Sequence, residues 1–287
     1  MGQTDRMPTR REVLIGGAGL VVVGVGGVIE MGGRRRTRLL HRLGLVHSPD
    51  RSVPAAHTPI VSGTLKSAHM SAPVNWSMSV PAGAITGIVY CLHGHNADHR
   101  FAFDQIYLPD FAAAGGAKIV VAAVDGGADS YWHRRADGDD PRAMLLDEFI
   151  PLVESRVGTH PRVLLGWSMG GYGALLAAET SPDRFRAVCA ASPALWTSPG
   201  STAAGAFDSA DDYRRNDVYA HTARLSKLVV RIDCGTGDPF YPSVKKFASD
   251  LVPAPQGAFG SGFHDDAYWR SVAPAQIQTI KRALERV

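Results

Sequence analysis

From about residue 58 the chain alternates short apolar runs with longer segments whose apolar residues recur every three or four positions. The runs Ile60–Ala68, Asn75–Val80, Gly87–Leu92, Ala117–Val124, Arg162–Leu165, Ala187–Ala191 and Leu228–Cys234 read as strands. Several consist almost wholly of Val, Ile, Leu and Ala, as expected where a strand is covered on both faces. Between them, Leu146, Phe149/Ile150, Val153 and Val157 line one face of a helix that follows Asp140-Pro141 and stops at Gly158 and Pro161. Ile277, Ile280, Leu284 and Val287 do the same at the C-terminus. Strands alternating with helices predict an α/β fold: one catalytic-sized domain over residues 58–287, with a mainly parallel sheet and helices on both faces. The Ser-, Gly-, Ala- and Asp-rich stretch Ser192–Arg224 is longer than a plain connection and reads as a lid or binding loop. Asp208, Asp211, Asp212, Asp217 and Tyr213-Arg214-Arg215 are expected on its solvated rim.

The first 57 residues follow different rules. Val13 to Ile29 is an uncharged run rich in Gly and Val, preceded by Thr9-Arg10-Arg11-Glu12-Val13-Leu14. Paired Arg before a mildly hydrophobic, Gly-rich segment predicts a twin-arginine export signal or a membrane anchor over residues 1–36. Residues 13–29 are then the candidate for membrane association, since the run sits at the short edge of what spans a bilayer. Five Arg follow the run and three precede it, which by the positive-inside rule opposes export of the C-terminal side. We expect an exported chain, anchored if the segment is retained, and a cytoplasmic one if translation starts at Met31. Residues 37–57 read as a linker.

Composition narrows the class. With 45% hydrophobic and 20% charged residues, the chain is neither collagenous, coiled-coil nor wholly disordered. Residues 1–50 carry eight Arg against four acids, and the remainder carries 22 basic against 23 acidic residues. The net +3 therefore belongs to the leader and argues for no nucleic-acid partner. Cys91, Cys189 and Cys234 lie in apolar runs and are expected as buried thiols.

The chemistry concentrates at three places. Gly166-Trp167-Ser168-Met169-Gly170 follows the apolar run Val163-Leu164-Leu165 and precedes a helix-forming stretch, so it reads as strand, sharp turn and helix with Ser168 at the apex. The pentapeptide alone is weak evidence, and its setting strengthens it. Asp238 follows the strand Leu228–Cys234 in Gly235-Thr236-Gly237-Asp238-Pro239-Phe240, and His264 stands in a loop before the last helix. The order Ser, acid, His along the chain fits a nucleophile, an orienting acid and a general base. The backbone N–H groups of Met169 and His95 are the candidate oxyanion donors, one beside the nucleophile and one after the strand Gly87–Leu92. Tyr131 and Trp132, beyond another strand end, are candidate substrate-binding aromatics, although a Trp there also packs readily under its own loop. Arg134 and Arg135 read as a solvated pair rather than an anion site.

His93-Gly94-His95-Asn96-Ala97-Asp98-His99 approaches the ligand run of binuclear zinc hydrolases, but one extra residue between His95 and Asp98 misplaces the second pair. No metal and no organic cofactor are expected. Leu92-His93-Gly94, Gly166-Trp167-Ser168-Met169-Gly170-Gly171, Cys234-Gly235-Thr236-Gly237-Asp238-Pro239-Phe240 and Phe263-His264-Asp265 together resemble an esterase branch of the α/β-hydrolases. That branch includes esterase D (S-formylglutathione hydrolase) and the mycobacterial mycolyltransferases. The resemblance covers about residues 60–287. It implies an eight-stranded, mainly parallel sheet and serine-dependent ester hydrolysis or acyl transfer on a small-molecule or lipid ester. The chain departs from both relatives. Mycolyltransferases typically lack the His-Gly pair and use Glu as the acid, so Asp238 leans toward hydrolysis. S-formylglutathione hydrolases are typically cytosolic without such a leader. The sequence leaves open a serine esterase, an acyltransferase with the same residues, and a non-catalytic binding protein of the cell envelope; it gives no oligomeric state.

Overall fold

The computed structural model describes residues 33–49 and 51–285 of the 287-residue chain. Seven strands form one sheet: β1 (Val61–Leu65), β2 (Val74–Ser79), β3 (Gly87–Leu92), β4 (Ile119–Val124), β5 (Arg162–Trp167), β6 (Ala187–Ala191) and β7 (Val229–Asp233). Their spatial order is β1-β2-β4-β3-β5-β6-β7. β1 pairs antiparallel with β2 and β2 with β4, while all the other pairings are parallel. The sheet is thus mixed at one edge and parallel elsewhere, and among the described residues it has one strand fewer than the implied eight.

Helices cover both faces because the central strands are apolar on both. Ile88, Tyr90 and Leu92 of β3 join one core cluster; Val89 and Cys91 join the other. Seven labelled helices are α1 (Gly33–Arg42), α2 (Leu108–Ala114), α3 (Ile150–Val157), α4 (Met169–Thr180), α5 (Ala210–Arg215), α6 (Tyr241–Asp250) and α7 (Asp266–Glu285). α3 and α4 lie on the face of Ile88 and Tyr90; α2 and α7 lie on the face of Val89 and Cys91. Ile277 and Ile280 of α7 are fully buried, each such side chain worth roughly 1.5–3 kcal/mol. The helical pattern around Leu146 and Val153 is interrupted by a π-helical turn, Met144–Phe149, whose extra residue turns both Phe149 and Ile150 into the core. Cys91, Cys189 and Cys234 are buried free thiols.

Two expectations change on inspection of the surface. The stretch 37–57, expected as a linker, begins with most of α1, and this helix lies across the junction drawn at residue 36. Asp212 and Tyr213, expected on a solvated rim, are buried. Asp212 accepts from the Asp208 N–H and the Asn216 side-chain amide, and Tyr213 Oη donates to the Trp196 carbonyl. The long insertion is therefore braced from within, and Tyr172 Oη of α4 ties it to the body by donating to the Asn216 carbonyl. Among the described residues no helix is long and apolar enough to cross a membrane, and the run Val13–Ile29 lies outside them.

Candidate active site

The parallel strands point their C-terminal ends to one edge, and β5 delivers Ser168 there. Ser168 adopts φ 54° and ψ −118°, a conformation that L-residues avoid. It is held by crossed hydrogen bonds: its N–H donates to Ala191 O, and its own carbonyl accepts from Tyr172 and Ala194 N–H. So sharp a turn leaves no room for side chains at two neighbours. A Cβ on Gly166 would stand 2.0 Å from the Gly170 carbonyl oxygen, and one on Gly170 would stand 1.9 Å from that of Leu92. The flanking glycines are thus fixed by backbone-to-backbone contact.

The three dispersed polar residues meet at this apex. Ser168 Oγ lies 2.8 Å from His264 Nε2, and His264 Nδ1 lies 2.8 Å from Asp238 Oδ2. The other oxygen of Asp238 accepts the Phe240 N–H at 2.8 Å, and the carboxylate is fully buried. The His264 side chain keeps 23% exposure, enough to meet a ligand from solvent. Burial of the imidazole works against its protonation, but the charge and hydrogen bond of Asp238 outweigh it, and the His264 pKa rises above its ordinary value. Neutral His264 with Nδ1–H directed at Asp238 leaves Nε2 free to accept the Ser168 proton.

The loops carrying Asp238 and His264 support one another. Thr236 N–H donates to Gly260 O and Gly237 N–H to Gly262 O, both at 2.8 Å. A Cβ on Gly235 would collide with the Gly262 carbonyl at 2.3 Å, so glycine is required for the two loops to lie this close.

The loop after β3 passes beside the nucleophile. A Cβ on Gly94 would lie 3.5 Å from Ser168 Cβ, which brings the His95 peptide to the same edge as the first turn of α4, where Met169 stands. His93 is a scaffold residue. Its Nε2 accepts the Gly126 N–H at 2.9 Å, so Nδ1 carries the proton and donates to Gly94 O at 2.8 Å. Burial holds its pKa down and keeps it neutral. His99 Nδ1 instead meets Asp125 at 2.9 Å, and His95 is exposed. No group of three His, Cys, Asp or Glu among the described residues is arranged to hold a metal ion.

The aromatic expectation shifts from one pair of residues to another. Trp132 is 1% exposed and donates from Nε1 to the His93 carbonyl. Its ring is slotted so close to Gly126 and Gly173 that a Cβ on either would stand 2.6 or 2.4 Å away. It packs under its loop and offers no face to a ligand. Tyr131 is buried in a ring cluster with Tyr172, Trp196 and Phe207. Besides buried Trp269, 5.2 Å from the His264 ring, the aromatics beside Asp238 and His264 are Phe240, 5.4 Å from the same ring, and Trp196, 5.4 Å from Phe240. Both are half-buried. Phe240 follows Asp238 by two residues, and that spacing is its signal in the sequence; Trp196 lies inside the stretch expected as a lid. Arg135 is neither solvated nor aimed at the site, for it ties Asp208, Gly205 O and Ala206 O of that insertion to its own loop.

Similar proteins arrange themselves accordingly. A family model described as "Putative esterase" matches residues 68–272. The iron(III) salmochelin esterase of Escherichia coli O6:H1 strain CFT073 is 28% identical over 176 residues, 55% of this chain and 42% of that protein. The chain thus matches less than half the length of that curated relative. A ferulic acid esterase structure superposes with a TM-score of 0.69 at 20% identity, covering 79% of this chain and 99% of the other. An S-formylglutathione hydrolase from Agrobacterium tumefaciens gives 0.65 at 16% identity, covering 84% and 99%. These likenesses carry the α/β-hydrolase fold, and the family model covers more than half of the chain. By that match, the chain belongs to the esterase family.

Proposed function

We propose that this protein is a serine carboxylesterase whose catalytic residues are Ser168, His264 and Asp238. The observation that carries the reading is the continuous hydrogen-bonded chain from Ser168 Oγ through His264 to a buried carboxylate, mounted on a strained turn at the sheet edge. His264 Nε2 takes the Ser168 proton as Oγ attacks the ester carbonyl, an assistance worth about 10²–10⁴ in rate. Asp238 holds the ring and stabilises the imidazolium. The Met169 N–H at the positive end of α4 and the His95 N–H receive the oxyanion, each donor worth about 3 kcal/mol. His264 then protonates the leaving alcohol, acyl-Ser168 remains, and water activated by the same imidazole releases the acid.

Family membership and the printed activities of the similar proteins support ester substrates. Phe240 and Trp196 supply apolar faces on which an acyl group can lie. An Asp at 238, where mycolyltransferases typically carry Glu, is the resemblance's reason to favour hydrolysis, and export through the leader would put the reaction outside the cytoplasm.

The test is hydrolysis of p-nitrophenyl acetate together with labelling by a fluorophosphonate probe. Wild type hydrolyses the ester and is labelled once, at Ser168; Ser168→Ala does neither, although it folds. Equal rates for the two proteins would overturn the reading, and absence of labelling in both would leave a binding protein. Appearance of an acyl ester in place of free acid, when glycerol or trehalose is added, would make the protein an acyltransferase.

A further inference from the structure

The arginine-rich stretch that follows the apolar leader is bound to the loops that carry the acid and the base. Arg36, only 6% exposed, donates from its guanidinium to the backbone carbonyls of Thr236 and Asp238, the latter at 3.2 Å. Its guanidinium also lies over the Tyr241 ring, 4.9 Å from the centroid. Thr37 Oγ1 donates to Gly237 O at 2.6 Å, so three successive carbonyls of the acid loop are engaged by two residues of α1. A few residues later the chain crosses to the base loop. Ser48 Oγ accepts the Phe263 N–H at 2.9 Å and donates to Asp265 Oδ2 at 2.7 Å, holding both neighbours of His264. The His47 N–H donates to Ser261 Oγ, which in turn donates to His47 O at 2.7 Å. Buried Val46 fills the space beside Gly237, and the His41 ring meets Phe263 at 5.6 Å.

None of these atoms touches the reacting groups. All of them fix the backbone on either side of Asp238 and His264. We infer that residues 36–48 form a strap that sets the Asp238–His264 register, with Arg36 and Ser48 as positioning residues for the reaction. This inference rests on the assignment of Ser168, Asp238 and His264 proposed above. The acid loop is glycine-rich on both sides of Thr236, and a Gly-Thr-Gly segment has little stiffness of its own. Without outside donors its carbonyls would face the solvent, and Asp238 could drift from the imidazole. A 1 Å misplacement of such a group is enough to cost about 100-fold in rate.

The experiment uses the chain with its N-terminal segment present and compares Arg36→Ala, Arg36→Lys and Ser48→Ala with the control Arg38→Ala. Arg38 is exposed on the same helix, so its removal takes away one positive charge without touching either loop. Ser168→Ala, run in parallel, tests the underlying assignment separately: if it retains full activity, that assignment fails whatever Arg36 does. With Ser168→Ala inactive, Arg36→Ala is expected to lower kcat roughly 10- to 100-fold with KM within about two-fold of wild type. The low-field proton resonance of the His264–Asp238 hydrogen bond should shift or broaden. Arg36→Lys should recover part of kcat, because an ammonium can still donate to one of the two carbonyls. Arg38→Ala should match wild type. Should Arg36→Ala fail to fold, Ser48→Ala, which loses one hydroxyl, carries the test through the same kcat and proton readouts. Wild-type kcat and an unmoved proton resonance in folded Arg36→Ala, or in Ser48→Ala if the former is unfolded, would overturn the inference.

Discussion

Glu179 is a buried carboxyl group without a hydrogen-bonding partner among the described residues. It sits near the end of α4, is 1% exposed, and neither carboxyl oxygen has a hydrogen-bond partner among the described residues. Burial, reinforced by the charge of Asp217 and opposed by Arg224, raises its pKa from 4.5 to about 9. The folded state therefore holds a proton that the unfolded chain releases above pH 4.5. Its stabilising share is fully present at low pH and is lost as pH rises towards 9. Each pH unit inside that window takes away about 1.4 kcal/mol, so between pH 5.5 and 8.0 the loss amounts to about 3 kcal/mol. That is a large fraction of the stability of an ordinary domain. Glu179→Gln keeps the shape and removes the titration. Urea unfolding followed by circular dichroism at pH 5.5 and 8.0 reads the difference directly, and subtracting the variant from wild type cancels the other titrating groups. The stability advantage of the variant over wild type should grow by about 3 kcal/mol between pH 5.5 and 8.0. Two stability profiles that run parallel over this range would refute the reasoning.

Other perturbations read the site itself. Asp238→Asn should lower kcat by about 10³–10⁴ with little change in KM, because the amide presents the wrong partner to Nδ1–H. Its residual kcat/KM should also reach half-maximum at lower pH than wild type. Asp238 is what lifts the His264 pKa, and the base must be neutral to act, so wild-type activity rises with pH through a value above the ordinary imidazole range. An unmoved limb in a pH–rate profile would show that another group sets it. Gly170→Ala should be among the costliest single methyl additions in the chain, since the new Cβ meets backbone at Leu92 and His93 rather than a side chain that can turn away. We expect a loss of about 3 kcal/mol or more, seen as a lower melting temperature, together with lost esterase activity.

Much of this arrangement was legible from residue order alone. The strands Gly87–Leu92 and Ala187–Ala191 have the ends that their apolar runs predict, because a strand buried on both faces admits few other residues. Ser168, Asp238 and His264 were marked by local signals, namely glycines around a turn, an acid past a strand end, and a base before a helix. Trp132 stayed open between ligand contact and packing under its loop, because its exposure depends on Gly126 and on the distant Gly173, which open a slot for the ring. Asp212 looked solvated because its partners, the Asp208 N–H and the Asn216 amide, become visible only once the insertion is folded. Arg36 was hidden most completely. An arginine among arginines after an apolar run reads as a targeting charge, and nothing local distinguishes the one that faces inward from Arg38, which faces out.

Arg36 and its carbonyl partners also stand about two hundred positions apart, with His264 close to the far end of the chain. The candidate site is therefore braced by segments that precede β1 and follow β7. On the proposed assignment, a nascent chain that stops before residue 264 lacks the base and is not a competent hydrolase. Ester cleavage on that assignment waits until the segment before β1 has met the loops after β7.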